Sequence, residues 1–280
     1  MPVRIVTDST SDIPPDVAAE LGITVIPLNV HFGLDTYKDG VEMNADQFYS
    51  RLLNSPVLPK TSAPAPGLFK QRYEELAADA DGIVSIHISS KLSGTLEAAR
   101  AGRELVSGDC RIEIVDSRMA SMGIGLIAIA AAKAAAAGAT MDEVMKLANE
   151  AIEKVQLACA LDTLEYLQKG GRVGKAQAWL GSILSIKPII SLREGEVVPV
   201  ERVRTRSKAV QRLNQLLEER IPAREIAVVY STDSSEAEKV MEHLSGMFPE
   251  QSAYLARFGP VLGTYVGPGS LAVITLAQGD

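Results

Sequence analysis

The sequence predicts an α/β protein with two domains. In residues 1–153, strand patterns rich in Val and Ile alternate with helix patterns, which indicates a parallel or mixed sheet with flanking helices. In residues 154–280, a hairpin pattern precedes further strands and helices, which indicates an α+β domain with an antiparallel sheet. Hydrophobic residues make up 46% of the chain and aromatic residues 5%, so we expect cores of Val, Ile, Leu and Ala.

The overall charge and the cysteines narrow the classes of function. A net charge of −7 argues against nucleic acid as the main partner and against adsorption to anionic membranes. The two cysteines, Cys110 and Cys159, are too few for a disulfide framework and lack the spacing of a metal site. We expect them to be core thiols in a reducing compartment.

The chain shows neither a targeting segment nor a membrane span. Its first residues lack the apolar region of a signal peptide. The longest apolar run, residues 119–132, is shorter than the roughly 20 residues that a spanning helix needs. These features predict a cytoplasmic protein without stable membrane insertion.

The first elements follow from strand patterns and turn residues. Residues 3–7 form the first predicted strand, and Pro14 and Pro15 begin a helix that Gly22 ends. Residues 24–32, rich in β-branched side chains, are predicted as one second strand.

Capping and turn residues define the next part of the chain. Asp39 and Gly40 indicate a tight turn, and Asn44 is the predicted N-cap of a helix that ends near Leu53. The following segments are a loop with four prolines, a helix and a buried strand, which we assign to residues 55–66, 67–78 and 81–86.

A loop of small polar residues, 89–95, connects this strand to a helix that begins near Leu96. The first turn of a helix has unpaired N–H groups and a partial positive charge, so this loop could hold an anionic group of a ligand. N-capping by Ser93 or Ser90 explains the same residues without a ligand. Other predicted strands also end in small polar pairs, Asp8-Ser9 and Asp116-Ser117, and the carboxyl ends of strands are where α/β sheets bind ligands.

The middle of the chain contains an alanine-rich helix. Residues 111–115 form a predicted strand, and residues 120–137 form a helix that Gly138 ends. So many alanines favour close packing of this helix, although they could instead leave room for a long, slender ligand. Thr140 and Glu143 form a capping box for the next helix, which ends near Lys154.

The second half contains the predicted hairpin. Residues 183–192 and 197–203 form its strands, which flank a turn at residues 193–196. The other predicted strands are residues 156–161, 225–230, 252–257 and 270–276. The predicted helices are a short one before Lys169 and longer ones at residues 205–220 and 235–247.

Several motifs for enzymatic chemistry are incomplete. The segment 170–175 resembles a Walker phosphate loop, but Lys169 and Ala176 stand where that motif needs Gly and Ser or Thr. We therefore predict no ATP site. Asp8 with Asp12 and Asp35 with Asp39 are spaced too loosely for a metal site and are interpreted as turn and cap residues, so we also predict no metal site and no cofactor. The segment around Ser93 does not match the G-x-S-x-G motif, because Lys91 stands where the motif needs a glycine. A hydrolase or transferase that uses Ser93 with His87 stays an alternative.

Basic residues recur at Arg202, Arg204 and Arg206. If the strand continues through them, they share one face. They then either protect an exposed sheet edge or attract an anion or an acidic partner.

Seven motifs in order along the chain resemble the DegV family of bacterial fatty-acid-binding proteins. The likeness covers essentially the whole length, so it is more specific than any single motif. The segments that carry it are residues 7–12, 60–64, 89–95, 115–117, 169–172, 203–205 and 267–269.

The resemblance implies a long-chain fatty acid bound in a cleft between the two domains. Its carboxylate is then held by Thr61 and Ser93, with Ser62, Gly94 and Tyr265 as neighbours of the head group. The same resemblance implies that the protein is a binding protein and not itself an enzyme. It presents the acid to a separate fatty acid kinase, which binds ATP and makes the acyl phosphate, and Arg172 and Arg204 are candidates for contact with the phosphate or the kinase.

One position departs from the family pattern. Tyr265 stands where many relatives have a histidine near the head group. A phenol donates a hydrogen bond but is mostly uncharged at neutral pH. We therefore expect Tyr265 to support binding of the carboxylate but to be less suited than a histidine to phosphate transfer. A lipid sensor without a kinase partner is therefore a further alternative.

Overall fold

The computed structural model describes residues 2–180, 186–247 and 252–278. Within these ranges the chain forms a four-stranded sheet, a six-stranded sheet and a small three-stranded sheet, with helices packed around them. The predicted fold class is confirmed: a parallel sheet with flanking helices occupies the first half, and a mainly antiparallel sheet occupies the second.

The four-stranded sheet is entirely parallel and belongs to the first half of the chain. Its strands, numbered along the chain and given in spatial order, are β2 (Thr24–Ile26), β1 (Val3–Asp8), β6 (Gly82–His87) and β7 (Arg111–Asp116). Every residue of β6 is buried, as expected for a strand covered on both faces. One face packs on α3 (Pro66–Ala77) and α4 (Thr95–Glu104) through Phe69, Tyr73 and Ala99.

The six-stranded sheet belongs to the second half. Its spatial order is β10 (Glu196–Val203), β9 (Lys187–Arg193), β8 (Val155–Ala160), β13 (Leu271–Ala277), β11 (Ala223–Tyr230) and β12 (Ser252–Arg257). All neighbours are antiparallel except β11 and β12, which are parallel. One face is covered by α8 (Arg206–Glu218) and α9 (Ser235–Met247). The predicted hairpin is present as β9 and β10, but its residues 183–185 lie outside the described residues.

Helix α5 (Met122–Ala136) lies between the two large sheets. Twelve of its 15 residues are buried, so it is apolar on all sides, as a helix enclosed by protein must be. It contacts β1 and β6 of the parallel sheet and β8, β11 and β13 of the other. The prediction of close packing is therefore correct, and one hydrophobic core runs through both halves of the chain.

Helix α6 (Met141–Lys154) follows α5 and begins with the predicted capping box of Thr140 and Glu143. It ends where β8 begins, close to the predicted domain boundary between residues 153 and 154. That division stays a prediction, because the shared core joins the two halves.

The small sheet was not expected, and it corrects two predictions. Residues 24–32 form two strands, not one, because the chain leaves the parallel sheet at Pro27, which has no N–H group to donate. Residues 55–66, predicted as a loop, include a short strand that pairs with the second of these. The sheet consists of β3 (Asn29–Phe32) between β4 (Asp35–Lys38) and β5 (Lys60–Ser62), and α2 (Ala45–Asn54) packs on it.

Among the described residues, two 3-10 helices and three short α-helices complete the fold. The 3-10 helices are Ser9–Ser11 and Gly174–Trp179, and the α-helices are α1 (Pro15–Glu20), α7 (Glu165–Lys169) and α10 (Pro260–Val266). Helix α10 was not predicted from the sequence, because Gly259 and Gly267 were interpreted only as turn residues between strands. Gly263 has no side chain to separate α10 from α2, and a Cβ there would lie 2.6 Å from the ring of Phe48. Among the described residues, no helix combines the length and the apolar character that crossing a bilayer requires.

We predict that Gly125→Ala destabilises the protein by roughly 1–3 kcal/mol, because overpacking a filled core has about this cost. A Cβ at this position in α5 would lie 2.7 Å from Met122 Sδ and 3.0 Å from the carbonyl oxygen of Ser11. Urea unfolding measures the change. Gly67→Ala is the control, since a Cβ there meets nothing within 4 Å. Equal stability of the two variants would contradict the close approach of α5.

Candidate functional site

A cavity of about 920 Å³ lies between the two halves of the chain. The first half contributes residues that follow the carboxyl ends of all four parallel strands: Leu28 after β2, Thr10 after β1, Ile88 and Ser93 after β6, and Ala120 and Ser121 after β7. This is the edge at which parallel sheets bind ligands.

Most of the buried residues that line the cavity are apolar, and Thr10 and Ser121 add buried hydroxyl groups among them. The buried end is formed by side chains of the six-stranded sheet and of α10, including Leu157, Cys159, Ile190, Val197 and Leu262. Three lining residues are exposed, namely Ser62, Gly94 and Arg172, and they mark the opening to solvent. The arrangement suits a molecule with one long apolar part and one polar end.

Cys159 belongs to this apolar wall. It is a free, buried thiol, and burial raises its pKa to about 12. A thiol that stays protonated is a poor nucleophile, so Cys159 acts as a small hydrophobic residue, as the sequence predicts.

Thr61 and Tyr265 meet at the polar end. The hydroxyl oxygens of the two residues are 2.5 Å apart, and both residues line the cavity. Pairing of β5 with β3 fixes Thr61 opposite Val30, while α10 carries Tyr265. Either hydroxyl can donate to the other, so each can also turn its proton toward an incoming acceptor.

Arg172 lies beside this pair. Its guanidinium is 5.2 Å from the centre of the Tyr265 ring and donates to the carbonyl oxygens of Leu92 (3.1 Å) and Gly170 (2.7 Å). Gly170 lets the ring approach, because a Cβ there would lie 2.5 Å from Tyr265 Cδ1. Within the described ranges, Arg172 forms no ion pair with a carboxylate, so its charge is available at the mouth.

Ser93 and Gly94 occupy the loop before α4. The N-cap is Gly94, which provides no side-chain bond, so the interpretation of this loop as capping by serine is only partly correct. The Ser93 hydroxyl accepts from the backbone N–H of Thr95 (3.3 Å) and lies 2.9 Å from the Thr95 hydroxyl. Ser90 instead donates to Asp116 (2.6 Å) and is not among the residues that line the cavity.

Ser62 lines the cavity, but its hydroxyl is already engaged. It lies 2.9 Å from His31 Nε2 and accepts from the side-chain amide of Asn29 at 3.2 Å. Alternate residues of a strand point to opposite faces, so Thr61 and Ser62 direct their hydroxyls to different sides. Thr61 is the better candidate for a ligand contact.

Arg204 lies away from the cavity. Strand β10 ends at Val203, so the expected shared face of three arginines does not form, and the side chains diverge. Arg202 stacks on Trp179 at 5.2 Å, and Arg206 forms an ion pair with Glu236 at 2.5 Å. Arg204 is exposed in the turn between β10 and α8.

His87 is not a partner of Ser93. It is fully buried, and both ring nitrogens are occupied: Nδ1 lies 2.9 Å from Asp8 Oδ2, and Nε2 lies 2.7 Å from Ser85 Oγ. A base must reach the proton that it removes, which this packing prevents. The geometry therefore argues against the alternative of a Ser93–His87 hydrolase. Within the described ranges, no cluster of three or more His, Cys, Asp or Glu could hold a metal ion.

Sequence reasoning missed two carboxyl groups that hold α10 in place. Asp12 accepts from the backbone N–H of Gly259 (2.9 Å) and from the Ser121 hydroxyl (2.6 Å). Asp39 is 4% exposed and accepts from Ser9 and from the backbone N–H of Val261. Asp39 looked like a turn residue, since only the tertiary fold brings it to α10.

Burial changes the acidity of both carboxyl groups. Loss of solvation raises the pKa of Asp12 well above its ordinary value and raises that of Asp39 to about 7. The hydrogen bonds lower both pKa values, but burial outweighs them. Asp39 Oδ2 has no hydrogen-bond partner among the described residues, which fits a carboxyl group that retains its proton.

The chain is similar to several known proteins. A family model described as "Uncharacterised protein, DegV family" matches residues 2–278. A DegV domain-containing protein of Listeria innocua is 37% identical over 276 residues, which are 97% of each chain. The structure of DegV from Bacillus subtilis, named as a fatty acid binding protein, shares 35% identity with a TM-score of 0.91. A DegV family protein from Thermus thermophilus, named for its fatty acid binding, shares 31% identity with the same TM-score, and each comparison covers 99% of this chain and 100% of the other.

We predict that Asp39→Asn reduces the pH dependence of the free energy of unfolding, while the contribution of Asp12 remains. The folded-state pKa of about 7 exceeds the ordinary 3.8, so the folded protein retains a proton that the unfolded chain releases between these values. The free energy of unfolding of the natural protein therefore falls as pH rises from about 4 to about 7. At pH values near 8 the variant should be more stable by roughly 2–4 kcal/mol, and near pH 4 the two should be similar.

Urea unfolding across this pH range measures the effect. Asp109→Asn, in an exposed loop, is the control and should reproduce the natural profile. A variant with the same fall in stability as the natural protein would show that Asp39 is charged throughout.

Proposed function

Because the chain belongs to the DegV family, we propose that it binds a long-chain fatty acid in the cavity between its two halves. The carboxylate lies at Thr61, Ser93 and Tyr265, and the hydrocarbon tail occupies the buried apolar end. The observation that carries the proposal is the gradient along one cavity, from buried aliphatic side chains to hydroxyl groups to an exposed guanidinium.

The acyl tail and the carboxylate of the ligand contribute differently to the binding free energy. Burial of an acyl chain contributes about 0.8 kcal/mol per methylene, so roughly 10 kcal/mol for a common fatty acid. Charge-assisted hydrogen bonds add about 1.5–3 kcal/mol each, while association and ordering remove several kcal/mol. The tail therefore supplies most of the affinity, and the hydroxyl groups orient the acid.

We further propose that the bound acid is presented to a separate fatty acid kinase, which supplies ATP. The carboxylate would sit at the open end of the cavity, where Gly94 and Arg172 are exposed. Arg204 is exposed outside the cavity, so it suits contact with the kinase and not with the tail. This chain has no complete phosphate-loop motif in its sequence, which is consistent with ATP binding by the partner.

A lipid sensor without a kinase stays the second candidate. The observation in its favour is Tyr265, whose hydroxyl hydrogen-bonds with Thr61 and which offers no imidazole for phosphate transfer. Acyl-phosphate formation with a bacterial fatty acid kinase separates the two functions. Product in the presence of this protein supports presentation, and bound lipid without product supports a sensor.

The first test is direct. The protein is purified from bacteria, and its bound lipid is extracted and identified by mass spectrometry. We expect one fatty acid per chain, and repeated absence of lipid in protein that also fails to bind added fatty acid would refute the proposal.

We predict that Ser93→Ala weakens fatty acid binding by roughly 1–3 kcal/mol, or about 5- to 150-fold in Kd, because one hydrogen bond to the carboxylate is lost. Titration of delipidated protein measures the affinity. Ser90→Ala is a matched control in the same loop, since that hydroxyl bonds to Asp116. Equal affinities for the two variants would remove Ser93 from the site.

We predict that Arg204→Ala leaves fatty acid affinity within about twofold but lowers acyl-phosphate formation at least tenfold. The arginine is exposed and does not line the cavity, so its loss affects the partner and not the ligand. Arg224→Ala is the control, because this exposed arginine lies beyond the other end of the 13-residue α8, which is about 20 Å long. Loss of fatty acid binding in a folded Arg204→Ala protein would overturn the assignment.

A further inference from the structure

A second recess adjoins the polar end of the cavity. It has a volume of about 710 Å³ and shares Thr61, Arg172 and Tyr265 with the fatty acid cavity. We call it the outer recess. Its other side chains come chiefly from the start of β5 and the residues before it, and from α7: Leu58, Lys60, Tyr166 and Lys169.

The outer recess is basic. Lys60, Lys169 and Arg172 line it, and no aspartate or glutamate does. Arg172 is held by backbone carbonyls, and Lys60 has no ion pair with a carboxylate in the described part of the chain. Lys169 pairs with Glu165, an exposed contact that water screens and that a stronger anion can replace.

The position of the recess matches the chemistry of the ligand. A fatty acid with its tail in the cavity directs its carboxylate toward Thr61 and Tyr265, which form the boundary with the outer recess. In acyl-phosphate formation, a carboxylate oxygen forms a bond to the γ-phosphorus of ATP, and the bond from that phosphorus to ADP breaks. The added phosphoryl group must then lie on the outer side, since the tail occupies the inner side.

We propose that the outer recess is a subsite for the phosphoryl group of the acyl phosphate, with Lys60 and Lys169 as its ligands. This inference rests on the proposed function and extends it to residues outside the fatty acid cavity. The head gains negative charge on phosphorylation, and the two ammonium groups that line the recess provide charge-assisted hydrogen bonds for it. The subsite retains the product after transfer and discriminates it from the free acid.

A phosphate monoester carries the same terminal phosphoryl group as an acyl phosphate, so a stable monoester can replace the acyl phosphate in a binding test. We would titrate delipidated protein with hexadecyl phosphate, with palmitate and with inorganic phosphate. The variants are Lys60→Gln, Lys169→Gln and the double variant. Both lysines are exposed, so their replacement should leave thermal unfolding unchanged. Lys175→Gln is the matched control, since Lys175 lies near α7 but outside the recess.

We expect the natural protein to bind hexadecyl phosphate at least as tightly as palmitate. The double variant should lose about tenfold in affinity for hexadecyl phosphate and less than twofold for palmitate, and the difference should shrink at high salt. Inorganic phosphate at tens of millimolar should compete with hexadecyl phosphate in the natural protein but not in the double variant.

The proposal of a subsite would be overturned if the double variant lost affinity equally for hexadecyl phosphate and palmitate, or lost affinity for neither. Competition by inorganic phosphate that is the same in the double variant would also overturn it, because the phosphate would then bind elsewhere. Failure of the proposed function is distinguished from failure of the subsite because the natural protein would then not bind palmitate. Binding of palmitate without hexadecyl phosphate refutes the subsite alone.

Discussion

Close contact of helix α5 with both large sheets is the constraint on which the rest of the structure depends. The helix is buried on all sides, and its glycines and alanines let the sheets approach it. The cavity begins where this contact ends, at Ala120 and Ser121, just before the helix. The two halves thus share one core but separate at the carboxyl edge of the parallel sheet, which leaves room for a ligand.

The polar end of the cavity depends on contacts between the two halves. Asp12 and Asp39 come from the first half and bind the backbone N–H groups at the start of α10, the helix that carries Tyr265. A buried carboxyl group costs free energy unless it is hydrogen-bonded or neutral, and the raised pKa of Asp39 reflects that cost. The buried carboxyl groups hold α10, the helix that places the Tyr265 hydroxyl next to Thr61. The position of the ligand contacts therefore depends on how the two halves pack.

Polarity changes in steps along the proposed path of the ligand. Buried aliphatic residues come first, then the hydroxyl groups of Thr61, Ser93 and Tyr265, then the cations of the outer recess. Such an order suits a carrier whose ligand is modified at one end. The apolar part shields the tail from water, while the head stays within reach of a partner. The buried hydrogen bonds of His87 instead support the strand that leads into the Ser93 loop, which explains a histidine near a serine without catalysis.

The sequence by itself determined the fold class and most strands and long helices, because periodicity, caps and glycine turns are local signals, and its ordered motifs were enough to indicate the family. Local signals did not predict strands that depend on long-range pairing. Lys60–Ser62 forms a strand only because it pairs with β3. Residues 24–32 divide near Pro27 because their two parts pair with different sheets. Only the tertiary structure decided that Thr61 meets Tyr265, 204 residues away, that Arg204 lies outside the cavity, and that Asp39 caps α10. The physical reason is that these contacts join residues far apart in the sequence. They depend on how helices and sheets pack, which a pattern of neighbouring residues does not determine.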